Sequence, residues 1–141
     1  MGTSEIQDKL QAVSLFAALS ERDRKHVAKS GTSVAHTAGK EIVTEGGGSV
    51  GFHLILEGTA EVEVNGHKRP ALAPGDYFGE ISLLDRKPRT ATVTAGPQGV
   101  TTFSVTAWTF AGLLEQFPHM YEAIVSGLCA RLRAVESARL D

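Results

Sequence analysis

One stretch constrains this chain more than any other: Gly79-Glu80-Ile81-Ser82-Leu83-Leu84-Asp85-Arg86-Lys87-Pro88-Arg89-Thr90-Ala91-Thr92-Val93. A glycine and a carboxylate open it. A short apolar run follows, then a loop through proline to arginine and threonine, then a strand-like run. Gly79 can take backbone angles closed to other residues and lets a ligand approach the main chain. Ile81 to Leu84 read as one helical turn whose free amides and dipole favour an anion. Arg89 offers a planar fork of donors that stays charged at any working pH. Pro88 fixes its own φ and pushes Lys87 towards an extended conformation, so the loop presents Arg89 in a restricted geometry.

Glu80 would be repelled by an anion that it touched. Its plausible partner is a neutral donor such as a sugar hydroxyl. Thr90 adds a hydroxyl for the anion or for a base edge. The stretch therefore reads as a cradle for one phosphate attached to a sugar. A bland alternative is an ordinary Arg89–Glu80 ion pair beside a tight turn.

From Phe78 to Val93 the residues run Phe-Gly-Glu, an apolar residue, a small residue, two apolar residues, a short loop, then Pro-Arg-Thr-Ala-Thr-Val. This order resembles the phosphate-binding cassette of the cyclic nucleotide-binding domain family. That family includes catabolite-activator-type regulators, kinase regulatory subunits and gated channels. The resemblance extends over roughly Leu15 to Val135. It implies an α+β fold: an eight-stranded antiparallel, jelly-roll-like β-roll. N-terminal helices precede the roll, a short cassette helix interrupts it, and two C-terminal helices close it. The whole chain, 1–141, is expected to be one domain. The N-terminal helices are placed at 4–30, the roll at 31–105 with the cassette at 78–93, and the C-terminal helices at 107–139.

The patterning along the chain agrees. Ser4 and Gln7 have capping-box spacing, and Ile6, Leu10 and Val13 recur at helical intervals. Ser20-Glu21-Arg22-Asp23 starts a second helix. Two short N-terminal helices are thus expected. Lys40 to Glu45 is a strand candidate, and Gly46-Gly47-Gly48-Ser49 a flexible turn. No Gly-Lys-Ser/Thr follows those glycines, which excludes a nucleoside-triphosphate loop. Val50 to Glu57 reads as a buried strand ended by Gly58. Ala60, Val62 and Val64 alternate with polar residues, as in a strand wet on one face. Asn65-Gly66 is a two-residue hairpin signal. The return strand, His67 to Ala73, carries Pro70, which indicates a sheet edge. Arg89 to Ala95 is a strand, Gly96-Pro97-Gln98-Gly99 is read as a turn, and Val100 to Val105 as pairing back.

Ala107 to Gln116 reads as a helix, and Pro118 suits the start of the next. There Tyr121, Ile124, Val125, Leu128, Leu132 and Val135 form one apolar stripe, expected mainly to pack on the roll. The resemblance implies a second role, a lid that moves when ligand binds.

Charge narrows the partners. The formal net charge is −2 over 141 residues, without the basic excess usual for a chain that tracks nucleic acid. No apolar run approaches the ~20 residues of a membrane helix, and no basic-then-apolar leader opens the chain. Neither nucleic acid nor membrane is therefore expected as a partner of these residues. Cys129 is the single cysteine, so a reducing cytoplasm is the natural location. His53 and Glu57, four apart on one strand face, invite a metal-site reading. Metal chemistry needs three or four converging ligands, and no second histidine stands two residues on. His53 is read as structural, and His26, His36, His67 and His119 as surface residues. No catalytic residues, metal or cofactor are assigned, and the chain is read as a non-enzyme.

By matching positions, the resemblance implies a 3′,5′-cyclic nucleotide as ligand. Glu80 would hold the ribose 2′-hydroxyl and Arg89 the cyclic phosphate. Amides near Ile81, Ser82 and Ala91 would assist, with Gly79 giving clearance. Thr90 permits cyclic GMP, though cyclic AMP is favoured. The implied role is a regulatory sensor whose ligand repositions the C-terminal helices, with an effector domain or protein partner outside these residues. The alternative is an interaction module of the same fold with weak or no nucleotide binding.

Overall fold

The computed structural model describes residues 1–47 and 51–140. Gly48, Ser49 and Val50, part of the expected glycine turn and strand start, lie outside the described residues. Three helices open the chain: α1 (Thr3–Gln11), α2 (Ser14–Ala17) and α3 (Glu21–Lys29). The expected pair is thus a trio, because Val13 interrupts the helix and Leu15 and Phe16 turn inward on a separate short one. Gly2, in extended conformation, caps α1 without a side-chain bond. Ser4 lies inside the first turn, so the capping box expected there does not form. Ser20 does cap α3, accepting from the Asp23 amide at 3.1 Å.

The strands are β1 (Thr32–His36), β2 (Glu41–Val43), β3 (Gly51–Val64), β4 (His67–Leu72), β5 (Tyr77–Phe78) and β6 (Thr92–Thr106). All their pairings are antiparallel. The order is β1-β6-β3-β4, with β2 also on β6 and β5 also on β3. Asn65 and Gly66 have φ of 51° and 78°, the paired positive values of a tight hairpin turn. Pro70 lies on β4 at the sheet edge, where its missing amide costs no ladder bond.

Two expectations about glycine are corrected. Gly58 does not end a strand, and Gly96 to Gly99 do not reverse the chain. Both sit inside long strands. Ala60 is opposite Ala95 and Gly58 opposite Val100, so residues 96–99 bulge out across from Thr59. Gly58 and Gly99 have φ of 80° and 79°, and a side chain on Gly58 would meet the Gly99 carbonyl at 2.4 Å. The glycines bend two paired strands together where the backbones touch, a barrel-corner use of glycine. Counting the halves of these two bent strands separately turns six continuous strands into the eight segments of the expected roll.

The cassette helix α4 (Glu80–Asp85) follows β5. Helices α5 (Ala107–Gln116) and α6 (Pro118–Leu140) close the chain. Thr106 caps α5, accepting from the Thr109 amide at 3.2 Å. Two apolar cores result. The larger joins the N-terminal helices, α5 and the start of α6 to the first half of β3 and the second half of β6 through Phe16, Phe52, Phe103, Phe110 and Met120. The smaller fills the roll with Val43, Ile55, Ala60, Phe78, Val93, Ala95 and Val100.

The stripe expected on α6 divides. Ile124 is buried and Leu128 half-buried against the larger core, while Tyr121, Val125, Leu132 and Val135 are exposed. Most of the stripe is therefore not packed on the roll: Tyr121 and Val125 lie on a side of α6 turned away from the body, beside the buried Met120 and Ile124.

Candidate functional site

The turn from β5 into α4 sets the site. Gly79 has φ +99°. A side chain there would meet the Gly51 carbonyl at 2.4 Å and Arg89 Nη1 at 2.7 Å. Only glycine lets the chain pass this close and still start α4 with Glu80 pointing inward.

Arg89 arrives from the loop after α4 and is 5% exposed. Its Nη1 donates to the Gly79 carbonyl and its Nη2 to the Gly51 carbonyl, each at 2.9 Å. Its Nε is buried without a partner. The main chain at Arg89 is pinned as well. Its amide donates to the Gly47 carbonyl at 2.9 Å, and its carbonyl accepts from the Gly46 amide at 2.8 Å. The glycine turn read from sequence as merely flexible thus holds the arginine in place.

Glu80 is 4% exposed. Its Oε1 accepts from Arg131 Nη1 of α6 at 3.3 Å, and its Oε2 is buried without a partner. Its ion-pair partner is therefore Arg131, not Arg89. Burial raises the Glu80 carboxyl above the usual range, and the backbone hydrogen bond and Arg131 pull the other way. Burial lowers the Arg89 guanidinium, opposed by the charge of Glu80.

Both groups line one cavity of about 120 Å³ with Gly79, Ile81, Thr90, Ala91 and Arg131. A wider cleft of about 690 Å³, bordered by Leu72, Tyr77, Leu128 and Arg131, shares its wall. Of the residues singled out from sequence, Gly79, Glu80, Ile81, Arg89, Thr90 and Ala91 come together here. Ser82 lies in α4, one residue beyond Ile81.

Behind the cassette lies a polar chain the sequence reading missed. His53 stacks on Phe78, ring centroids 4.9 Å apart. Its Nδ1 is 2.9 Å from Ser104 Oγ, which is 2.9 Å from Thr102 Oγ1, which is 3.0 Å from His36 Nε2. Burial, then the charge of Arg89, lowers His53 to about 4. His36, expected at the surface, is half-buried in this chain. The expected alignment of His53 with Glu57 fails because a register shift between Ile55 and Glu57 turns the glutamate outward. Among the described residues no group of three or more His, Cys, Asp or Glu could hold a metal ion. The missed site residue is Arg131, which reaches Glu80 from α6. It lies 51 positions from Glu80, and no local spacing links the two.

Residues 34–117 match the family model for the cyclic nucleotide-binding domain, and the chain belongs to that family. Among curated proteins, a cAMP-dependent protein kinase regulatory subunit of Aspergillus niger is 36% identical over 88 residues, 61% of this chain and 21% of that protein. The chain thus spans about a fifth of the length of that relative. Among solved structures, the cAMP-bound PfPKA-R (141–441) has a TM-score of 0.84 at 24% identity, covering 99% of this chain and 48% of that one. The Thermus thermophilus catabolite activator protein has a TM-score of 0.79 at 22% identity, covering 89% of this chain and 61% of that one. These structures share the fold. Among the described residues no helix is long and apolar enough to cross a membrane.

Proposed function

We propose that the cavity binds a 3′,5′-cyclic nucleotide and that the chain, as one domain over 1–141, is a regulatory sensor that performs no reaction. One observation carries the reading. A buried carboxylate oxygen of Glu80 and a buried N–H of Arg89 both lack partners, and the two residues line the same cavity. Such groups cost stability unless something satisfies them. A ligand with a hydroxyl donor beside a single anionic group does so for both. A cyclic phosphate fused to a ribose with a free 2′-hydroxyl has that pairing.

In this reading Arg89 holds the phosphate through Nε and the second N–H of a terminal nitrogen, with its fork already aligned by two carbonyls. Glu80 accepts from the 2′-hydroxyl through Oε2. Amides at Ile81, Ser82 and Ala91 face the phosphate, and Gly79 gives clearance. The base extends into the wider cleft, between Thr90 and the face of α6. Cyclic AMP is favoured, as in the names of the kinase-subunit relatives, and the Thr90 hydroxyl leaves cyclic GMP as a competitor. Because Arg131 joins Glu80 to α6, ligand at Glu80 biases where α6 docks. The shift is limited to the ligand's differential affinity for the two arrangements. The effector lies outside these residues, and the single thiol suits a cytoplasmic setting.

The test is calorimetric titration with cyclic AMP and cyclic GMP in parallel, after refolding from denaturant to strip carried-over ligand. The expected result is micromolar or tighter binding, about −8 kcal/mol or stronger. No heat with either nucleotide, from a chain shown to be folded, overturns the reading in favour of a protein-interaction module.

A further inference from the structure

The polar chain behind the cassette is open at both ends: His53 Nε2 and His36 Nδ1 are buried without partners. Between them run three bonds, from His53 Nδ1 to Ser104 Oγ, on to Thr102 Oγ1, and on to His36 Nε2. Each hydroxyl has one hydrogen to give, and so has each neutral imidazole. Among the described residues neither hydroxyl has an acceptor outside the chain. Two arrangements then make all three bonds. In the first, His53 Nδ1–H donates to Ser104, Ser104 to Thr102, and Thr102 to His36 Nε2, so both rings carry their hydrogen on Nδ1. In the second every bond is reversed, and both rings carry it on Nε2. A mixed pair strands a hydroxyl hydrogen with no acceptor, at the cost of a buried unmade bond. The tautomers of the two rings are thus tied together.

The charges at the two ends choose between the arrangements. His53 pairs with Phe78 across β3 and β5. Arg89 is bonded to the Gly51 carbonyl, two residues before His53, and to the Gly79 carbonyl, one residue after Phe78. Its charge bears on His53, and it is buried. Lys40 bears on His36 but is exposed, where salt and solvent screen it. Arg89 therefore decides, and it favours the first arrangement, which puts the negative end of the chain at His53.

We propose that His53 is a positioning residue acting through Arg89, and that its tautomer is set from the sheet edge by His36, so that a proton on His36 reverses the chain and strengthens anion binding at Arg89. The half-buried His36 takes up a proton before His53, which burial and Arg89 keep neutral down to about 4. One proton is gained overall. The Nδ1 hydrogen of His53 passes along the two hydroxyls to His36 Nε2, each hydroxyl keeping one hydrogen, and a proton from solvent adds at His53 Nε2. The positive end of the chain then lies on the side of Arg89, and an anion there relieves it. By reciprocity, an anion at Arg89 weakens the field that holds the first arrangement. Glu80 faces the same cavity and takes up a proton of its own as the pH falls, so the relay's share is read by difference from a chain cut at Thr102. The anion half of the proposal rests on the nucleotide reading above, and the tautomer half does not.

Long-range proton–nitrogen NMR of the full chain labelled with 15N-histidine tests it, from about pH 7.5 to about 4.5, a range that brackets an ordinary histidine. Both rings should start as Nδ1–H. As His36 titrates, His53 should pass to Nε2–H while still neutral. In Thr102→Val, whose fold is checked by its melting curve, and in Ser104→Ala, that passage should vanish. Rings of unlike tautomer, a His53 that stays Nδ1–H through the titration of His36, or a parent-like response in both variants overturns the relay. Titration with cyclic AMP over the same range should show affinity about fivefold higher in the parent, relative to Thr102→Val, once His36 is charged, the low end of measured site-to-site couplings. Identical pH profiles overturn the coupling to Arg89. No binding to either protein at any pH is instead the failure of the nucleotide reading, and the tautomers still decide the relay.

Discussion

Arg131, just past the middle of the last helix, donates through Nη1 to Oε1 of Glu80 at 3.3 Å. The carboxylate is buried and the arginine largely exposed. A half-exposed pair is weak as a stabiliser, so its importance is geometric: it fixes one oxygen of Glu80 and leaves the other without a partner.

Arg131→Ala is accordingly expected to weaken nucleotide binding by no more than about tenfold, the ~1 kcal/mol scale of such pairs. Its larger effect should be on coupling. In the parent, ligand should slow amide exchange along residues 118–140, and in the variant that slowing should shrink. Equal slowing in both proteins would show that α6 senses the cavity by another route.

Arg89→Ala should abolish most nucleotide affinity, at least a hundredfold, since charge-assisted bonds are worth about 1.5–3 kcal/mol each. It should also lower stability. The carbonyls of Gly79 and Gly51 each lose a donor, and the pinned backbone at Gly46 and Gly47 limits how far the site can collapse. A loss of about 1–3 kcal/mol in denaturant unfolding is expected. Arg89→Lys should recover little, because a point charge cannot reach two carbonyls and a phosphate together. Parent-like titration curves for Arg89→Ala would refute the site assignment.

Gly79→Ala should be worse for folding than either. The φ of +99° and the 2.4 Å approach to the Gly51 carbonyl leave no room for a methyl group. Strain and clash together put the cost above about 2 kcal/mol. Gly75→Ala is the control. It also has positive φ, at 97°, but nothing lies within 4 Å. Equal melting temperatures for the two variants would show that backbone conformation alone, and not the close approach, sets the cost.

Stability should fall with pH through His53. Its folded value is about 4, against 6.5 for a free histidine. Above pH 6.5 both states are neutral there and the group adds nothing. Between 6.5 and about 4 the unfolded chain binds the extra proton, so stability drops by up to about 3 kcal/mol. Glu80 works in the opposite sense, since its raised carboxyl takes up a proton more readily when folded. Denaturant unfolding of His53→Gln over this range should show a shallower decline than the parent. An unchanged slope would place the acid sensitivity elsewhere.

What the sequence disclosed follows the range of the forces involved. Asn65-Gly66, Ser20 and Pro118 act within a few residues, and each sits where its local chemistry put it. Gly79, Glu80 and Arg89 were legible because the cassette is contiguous. Glycine was the weak signal. Gly58 and Gly96 to Gly99 look like chain reversals, but only the pairing partner across the sheet shows that they bend strands that continue. The Arg131–Glu80 contact and the His53–Ser104–Thr102–His36 chain depend on register and helix docking, which local pattern does not encode. The α6 stripe was read correctly as apolar, and its period was compatible with packing on the roll. Only the burial along it separates Ile124 and Leu128, held by the body, from the four residues left outside.

The two apolar cores have a consequence for how such a domain can diverge. Phe78 and Val93 belong to the small core beneath the cavity, while Phe52, Phe110 and Met120 belong to the large one under the helices. Strands β3 and β6 contribute to both: Leu54 and Phe103 to the large core, Ile55 and Val100 to the small one. Substitutions in the small core alter the fit of whatever occupies the cavity. Substitutions in the large core act first on the resting posture of the helices, and touch the cavity and cleft walls through Tyr77, Ile124 and Leu128. Sensitivity and response can thus drift largely apart in descendants of this chain, with β3, β6 and those three wall residues as the places where a change is felt by both.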